Sequence, residues 1–380
     1  MARRANERHV QRSGKGCIRA PFTIAWPLTA AVLLSVAGCA SVDVAAPAMT
    51  AKSSKIKQAA SDTPVSGGSA SIIDGVFGGL AYANKESVCA NSSLFDVEEF
   101  PGSGKFKTND IARLQKSTVR LRFTHKHLAE AVFKDRIQSR YPDATNFSLG
   151  GFTSFAGKDE GLCSGTLIGG NIVLTAGHCV SRAHWNGEGL EFPSYERGGR
   201  RVTVTTKQFA LFLVADFNRQ QNLSAVASAD PLPFADRPFY PFTVRELVAP
   251  GGEPDDDLDY AILRIRGTQE QIGQYALGTG NVRYPRNVNA DGEVAVIQHP
   301  TGLYKKVAIG QPREMTGDRL LHSASTSGGS SGAGVISDGG KLIAIHVEGG
   351  CSPMGLNTAN HALPLWRIRT QLSAALNGGN

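Results

Sequence analysis

The stretch Ser325-Thr326-Ser327-Gly328-Gly329-Ser330-Ser331-Gly332-Ala333-Gly334-Val335 constrains this chain more than any other. It is a run of small residues that ends in an apolar strand, which suits a tight turn displaying a nucleophile. Glycine reaches positive φ at little steric cost, so Gly328, Gly329 and Gly332 can turn backbone N–H groups toward a reacting carbonyl oxygen. Ser331 is the candidate nucleophile, and the N–H groups of Gly329 and Ser331 are the candidate oxyanion hole. A serine hydroxyl is a weak nucleophile alone and needs a histidine base, itself oriented by a third group. Upstream, the apolar run Ile172-Val173-Leu174 leads into a small-residue turn carrying His178, and Asp259 stands at the mouth of the apolar strand Tyr260-Ala261-Ile262-Leu263.

Together these segments resemble the His, Asp and Ser motifs of the chymotrypsin-like serine proteases, in that family's chain order. Other folds carry the same triad in different orders. The resemblance covers roughly residues 111–375. It implies an all-β fold of two packed six-stranded antiparallel barrels with the active site between them, an inter-barrel linker near 266–284, and a C-terminal helix. Abundant glycine and many short strands agree with that architecture. The implied chemistry is peptide hydrolysis by Ser331, His178 and Asp259, with no cofactor and no metal. The family's disulfide beside the histidine turn maps onto Cys163 and Cys179, which implies an oxidising compartment. Cys89 and Cys351 remain, and four cysteines leave three connectivities open. Ser330 stands where digestive members carry an aspartate that pairs with a new N-terminus, so activation of that kind is not expected.

For specificity, Ser325 occupies the position where trypsin-like enzymes place an aspartate for Lys or Arg. Thr326 and His346 stand where bacterial glutamyl endopeptidases carry the threonine and histidine that meet a substrate carboxylate. Val347 and Gly349 fall on the segment that pairs with substrate backbone beside the pocket. Cleavage after glutamate is therefore expected, opposed by Glu348 near the same pocket. Two rival readings exist. Gly328-Gly329-Ser330-Ser331-Gly332 also spells the nucleophile elbow of an α/β-hydrolase esterase with Ser330 as nucleophile, but no strand–helix alternation precedes it. The other is a catalytically inactive surface binding protein on a protease scaffold.

Residues 1–38 read as an export signal, basic at the front and apolar from Phe22 to Ala37, a run short for a membrane span. It closes on Val36-Ala37-Gly38-Cys39, similar to the bacterial lipoprotein cleavage motif, with Cys39 as the lipid-bearing residue. Ala40 rather than aspartate follows, so a Gram-negative host would send the protein to the outer membrane. Removing residues 1–38 takes away six Lys or Arg and one Glu, lowering the formal charge from +7 to +2. The remaining basic residues are scattered, so a nucleic-acid partner is not indicated. Expected partners are a protein or peptide substrate and, through the lipid, a membrane; a monomer is expected.

Residues 39–110 read as a tether or pro-segment, Ala/Ser/Lys/Thr/Pro-rich up to about Ala70, and residues 111–376 as the protease domain. Within the latter, 117–123 alternates as a half-buried strand. Residues 126–141 read as an inserted helix with Leu128, Ala131, Val132 and Ile137 on its buried face. The Gly/Arg-rich 187–201 and Pro-rich 231–254 stretches read as loops. Residues 363–376 read as the closing helix.

Overall fold

A computed structural model describes Cys89 and residues 94–156, 161–217, 242–251, 258–351 and 359–378. The export signal, Cys39 and the 40–70 tether lie outside the described residues.

Six antiparallel strands close the first barrel in the order Ala261–Ile265, Ile172–Thr175, Cys163–Gly169, Thr118–Phe123, Leu213–Asp216 and Phe242–Pro250. Val119, Leu121 and Phe123 alternate into its interior and are at most 1% exposed. Phe123 stacks on Phe152 and Phe212 with ring centroids 5.2 and 5.9 Å apart, and each such buried ring stabilises the fold by about 1.5–3 kcal/mol. The strand expected to be half-buried is buried at every position, its outer residue Arg120 being covered by Gly161, Asp216 and the turn at Gly302. Phe242–Pro250, read from sequence as part of a Pro-rich loop, is the strand that closes the barrel. Its interior positions Val244 and Leu247 are apolar and buried, and Pro250 sits at its end, where a missing N–H is tolerated.

The inserted helix forms as Lys126–Val132 and continues as a π-helical turn, Phe133–Gln138. Its buried face overlaps the expected one in part: Ile137 is buried and Val132 packs against the core, but Ala129 and Phe133 complete the face while Ala131 is exposed and Leu128 is 38% exposed. Spacing of four residues puts the large Phe133 ring on that face, stacked on Phe147 at 4.7 Å. The 187–201 stretch contains a hairpin rather than only a loop. Gly198 and Gly199, both at positive φ, turn Ser194–Arg197 back on Arg200–Thr203, as a two-residue hairpin turn requires.

The second sheet has eight strands in the order Leu94–Asp96, Lys306–Gly310, Val294–Gln298, Gly334–Ser337, Leu342–Glu348, Asn360–Pro364, Arg319–His322 and Pro312–Thr316. Lys306–Gly310 and Pro312–Thr316 are halves of one segment bent at Gln311, whose N–H and carbonyl both pair with Ser323. The sheet therefore curls until its last strand continues its second. The strand beyond the expected set is Leu94–Asp96, and Phe100, Phe106 and Ile111 behind it are at most 2% exposed. Residues 94–110 thus pack as part of the folded body. Disulfides join Cys163 to Cys179 and Cys89 to Cys351. The closing helix starts later than expected. Leu363 and Pro364 end a strand, a turn Leu365–Ile368 follows, and the helix runs Arg369–Asn377, since proline cannot sit inside a helix. Antiparallel sheets without strand–helix alternation exclude the α/β-hydrolase fold, and Ser330 is fully buried.

Lys305 is buried where the first barrel meets the second sheet. Its Nζ donates to the carbonyls of Gln115 and Phe217, each at 2.8 Å, and to Gln115 Oε1 at 3.1 Å, which matches the three N–H groups of an ammonium. Burial pushes its pKa from 10.5 down to about 7, with Asp216 pulling it back up. Between those values the unfolded chain holds one more proton than the folded chain. Stability therefore rises with pH across that window, by at most about 1.4 kcal/mol per pH unit. Lys305→Met is expected to lose this slope, which denaturation midpoints measured from pH 7 to pH 10 would reveal; parallel curves for the two proteins would exclude it.

Candidate active site

The histidine turn forms because Ile172–Thr175 leaves the barrel through Ala176 and Gly177, where a side chain on Gly177 would collide with the Gly251 carbonyl. His178 Nδ1 lies 2.7 Å from Asp259 Oδ2, and the His178 backbone N–H donates to Asp259 Oδ1 at 2.8 Å. Both carboxylate oxygens are thus engaged, fixing the ring's orientation. Burial pushes the Asp259 pKa up, but the neighbouring His178 charge and the hydrogen bonds from His178 and Gly177 outweigh it and hold the carboxyl below its ordinary value. Asp259 is thus ionised at neutral pH, and an ionised acceptor favours a proton on Nδ1 and leaves Nε2 as the base. Cys163 and Cys179 lie close to His178, but their sulfurs are joined, so they offer no thiolate to a metal.

Ser331 stands across the same cleft, which has a volume of about 400 Å³ and is lined by His178, Asp259, Thr326, Gly328, Ser331 and His346 among others. Its loop is fixed from the first barrel: the Ser164 N–H donates to the Ser331 carbonyl at 2.9 Å, and the Ser164 hydroxyl donates to the Gly329 carbonyl at 2.9 Å. Of the three glycines expected at positive φ, Gly329 and Gly332 have it, at 86° and 84°, and Gly328 does not. Gly332 is required for space as well, since a Cβ there would strike the Thr175 hydroxyl and the Ser164 carbonyl. Among the described residues the N–H groups of Gly329 and Ser331 donate to no protein acceptor, the state an oxyanion hole needs.

Thr326, His346, Val347 and Gly349 line the cleft as expected, and Ser325 does not. Ser325 is buried behind the pocket. Its hydroxyl accepts from the Cys89 N–H at 3.1 Å and its carbonyl from Gln298 Nε2 at 2.7 Å. Thr326 Oγ1 and His346 Nδ1 are buried without a hydrogen-bond partner among the described residues. Burial, then repulsion from His322, His178 and His361, drives the His346 pKa well below the ordinary value, so its imidazole is neutral. His322 packs edge-on against it at 5.5 Å. Glu348 also lines the cleft, and its carboxylate accepts from Arg319 Nη1 at 3.0 Å and lies 3.0 Å from His361 Nδ1.

Three cleft residues escaped the sequence reading: His184, Glu188 and Arg319. Ser181 caps the short helix Arg182–Gly187 and brings the His184 ring to 4.7 Å from His178. The Ser181 cap was the available signal. Arg319 reaches the cleft only because its strand pairs with Asn360–Pro364, which no local pattern announces.

Residues 163–345 match the trypsin-like peptidase domain family. The matched span contains His178, Asp259 and Ser331 but ends one residue before His346, so it leaves out His346, Val347, Glu348 and Gly349 of the cleft as well as the inserted helix and the N-terminal strand. No curated protein sequence matches the chain. Among solved structures, it is similar to the active form of the Rv3671c protease from M. tuberculosis, at 13% identity and TM-score 0.35 over 70% of this chain and 82% of that one. It is also similar to a serine endoprotease from Yersinia pestis, at 14% identity and TM-score 0.39 over 73% and 69%. An HtrA-type protease, AlgW with a decapeptide, gives 14% identity and TM-score 0.37 over 73% and 69%.

Proposed function

We propose that this chain is a serine endopeptidase working through an acyl-enzyme. The observation that carries the reading is the 2.7 Å contact between His178 and Asp259 in a cleft shared with Ser331. Ser331 Oγ attacks the peptide carbonyl while His178 takes its proton, and the oxyanion rests against the Gly329 and Ser331 N–H groups. His178 then gives the proton to the leaving amine, and water repeats the sequence to release the acid. Asp259 keeps the imidazole in the useful tautomer and stabilises the imidazolium. Profiling the purified protein on a peptide library tests the reading; absence of cleavage across the library would count against it.

The preferred residue before the scissile bond is glutamate. The Thr326 hydroxyl and the neutral His346 N–H can both donate to a carboxylate, and Arg319 offsets the charge of Glu348 in the same cleft. Two charge-assisted hydrogen bonds give about 100-fold discrimination against glutamine. The expected result is kcat/KM highest for Glu among matched Glu, Gln, Phe and Arg peptides, with the Glu/Gln ratio collapsing in His346→Ala. A preference for Phe or Arg, or a ratio that survives the substitution, would sink the assignment.

The mature chain is anchored to the cell envelope through lipid on Cys39, outer membrane in a Gram-negative host, because several acyl chains on one cysteine hold where a single chain binds only marginally. Cys39→Ala is expected to move the protein to the soluble fraction; unchanged membrane partitioning would contradict the anchor.

A further inference from the structure

Thr301 has φ 54° and ψ 17°, a left-handed conformation that is a strained outlier for a β-branched residue. Its N–H donates to the Gly328 carbonyl at 2.5 Å. That carbonyl and the Gly329 N–H belong to one peptide, and in a trans peptide the two point in opposite directions. A donor that holds the carbonyl on the Thr301 side therefore turns the Gly329 N–H to the opposite side. The fit is close, since a Cβ on Gly329 would lie 2.6 Å from the Gly302 nitrogen and 2.8 Å from the His299 carbonyl oxygen.

The turn that carries Thr301 is held in turn by the other barrel. The Gly302 carbonyl accepts from the Gly161 N–H at 2.8 Å and from Arg120 Nη1 at 3.3 Å. Gly161 and Gly302 meet so closely that a Cβ on Gly302 would collide with the Gly161 carbonyl. Arg120 is fully buried, and its Nη2 donates to the Asp216 carboxylate at 2.6 Å. Lys305, just beyond the turn, binds the first barrel again at Phe217. A buried ion pair contributes little net stability against an apolar replacement, so its presence behind this turn calls for a role other than stability.

We propose that Arg120, Asp216 and Thr301 are positioning residues for the oxyanion hole, the first barrel fixing the Thr301 turn and the turn fixing the Gly328–Gly329 peptide. This rests on the serine peptidase reading. Two variants test it. Arg120→Gln/Asp216→Asn removes both charges of the ion pair together, and Lys305, which loses the attraction of Asp216, can shed its proton rather than stay buried and charged. Thr301→Gly keeps the N–H and relieves the strain, so the fold is retained while the turn loses its rigidity. The readouts are kcat and KM on the best peptide of the panel, and the affinities of the matching peptide aldehyde, which forms an oxyanion on Ser331, and peptide alcohol, which does not. Expected are losses of about 10-fold or more in kcat and in aldehyde affinity, with KM and alcohol affinity within about two-fold of wild type. The proposal is overturned if kcat and aldehyde affinity stay at wild-type values, or if alcohol and aldehyde affinities fall together. Should the double variant fail to fold, Thr301→Gly decides on the same two readings. A wild-type protein that neither cleaves peptides nor reacts with a fluorophosphonate would instead contradict the peptidase reading.

Discussion

Ser331→Ala is expected to lower kcat for peptide hydrolysis by roughly four to six orders of magnitude, since the triad acts as a unit and residual rate comes from the oxyanion hole and binding alone. The loss should leave the fold intact, because Ser331 is held through its carbonyl rather than its hydroxyl. Ser330→Ala should behave in the opposite way. The Ser330 hydroxyl is buried and accepts from the N–H of the half-buried Ser327 at 3.1 Å, so its removal costs the net worth of one hydrogen bond, about 0.5–1.5 kcal/mol of stability, while hydrolysis persists. Paired melting curves and kinetics on the two variants separate these outcomes. A dead Ser330→Ala beside an active Ser331→Ala would reverse the assignment of the nucleophile.

Asp259→Asn should be nearly as damaging, with kcat reduced by about four orders of magnitude. The carboxylate accepts from the His178 ring and from the His178 backbone N–H at once. An amide offers only one acceptor oxygen, so either the backbone N–H loses its partner or the NH₂ group faces Nδ1. In the second case Nδ1 becomes an acceptor and Nε2 carries the proton, which removes the base that Ser331 needs. Kinetics with wild-type-like KM and depressed kcat would fit this account; a loss confined to KM would not.

His178, Asp259 and Ser331, which share one cleft, were legible in the sequence because each sits in a self-contained local pattern: an apolar strand ending in a glycine turn for His178, an acid at a strand mouth for Asp259, and a small-residue turn for Ser331. The pocket was only half legible. Thr326 and His346 reach the cleft, but Ser325, one residue earlier on an extended segment, faces the other way and is consumed by Cys89 and Gln298. That contact depends on a cysteine far away in sequence. Arg319 and its hold on Glu348 were invisible for a similar reason, being set by pairing between strands rather than by any motif. The inserted helix buries Ile137 as its spacing predicts, but its face is rotated toward Ala129 and Phe133, whose ring stacks on Phe147, and away from Leu128. Leu94–Asp96 is three residues long, too short for alternation to announce a strand.

The most direct test is to react the purified protein with a fluorophosphonate and map the adduct by mass spectrometry, with and without a competing peptide substrate. A serine activated by His178 predicts one adduct, on Ser331, whose formation the substrate slows and Asp259→Asn suppresses. No adduct, or one on Ser330 or a serine outside the cleft, would contradict it.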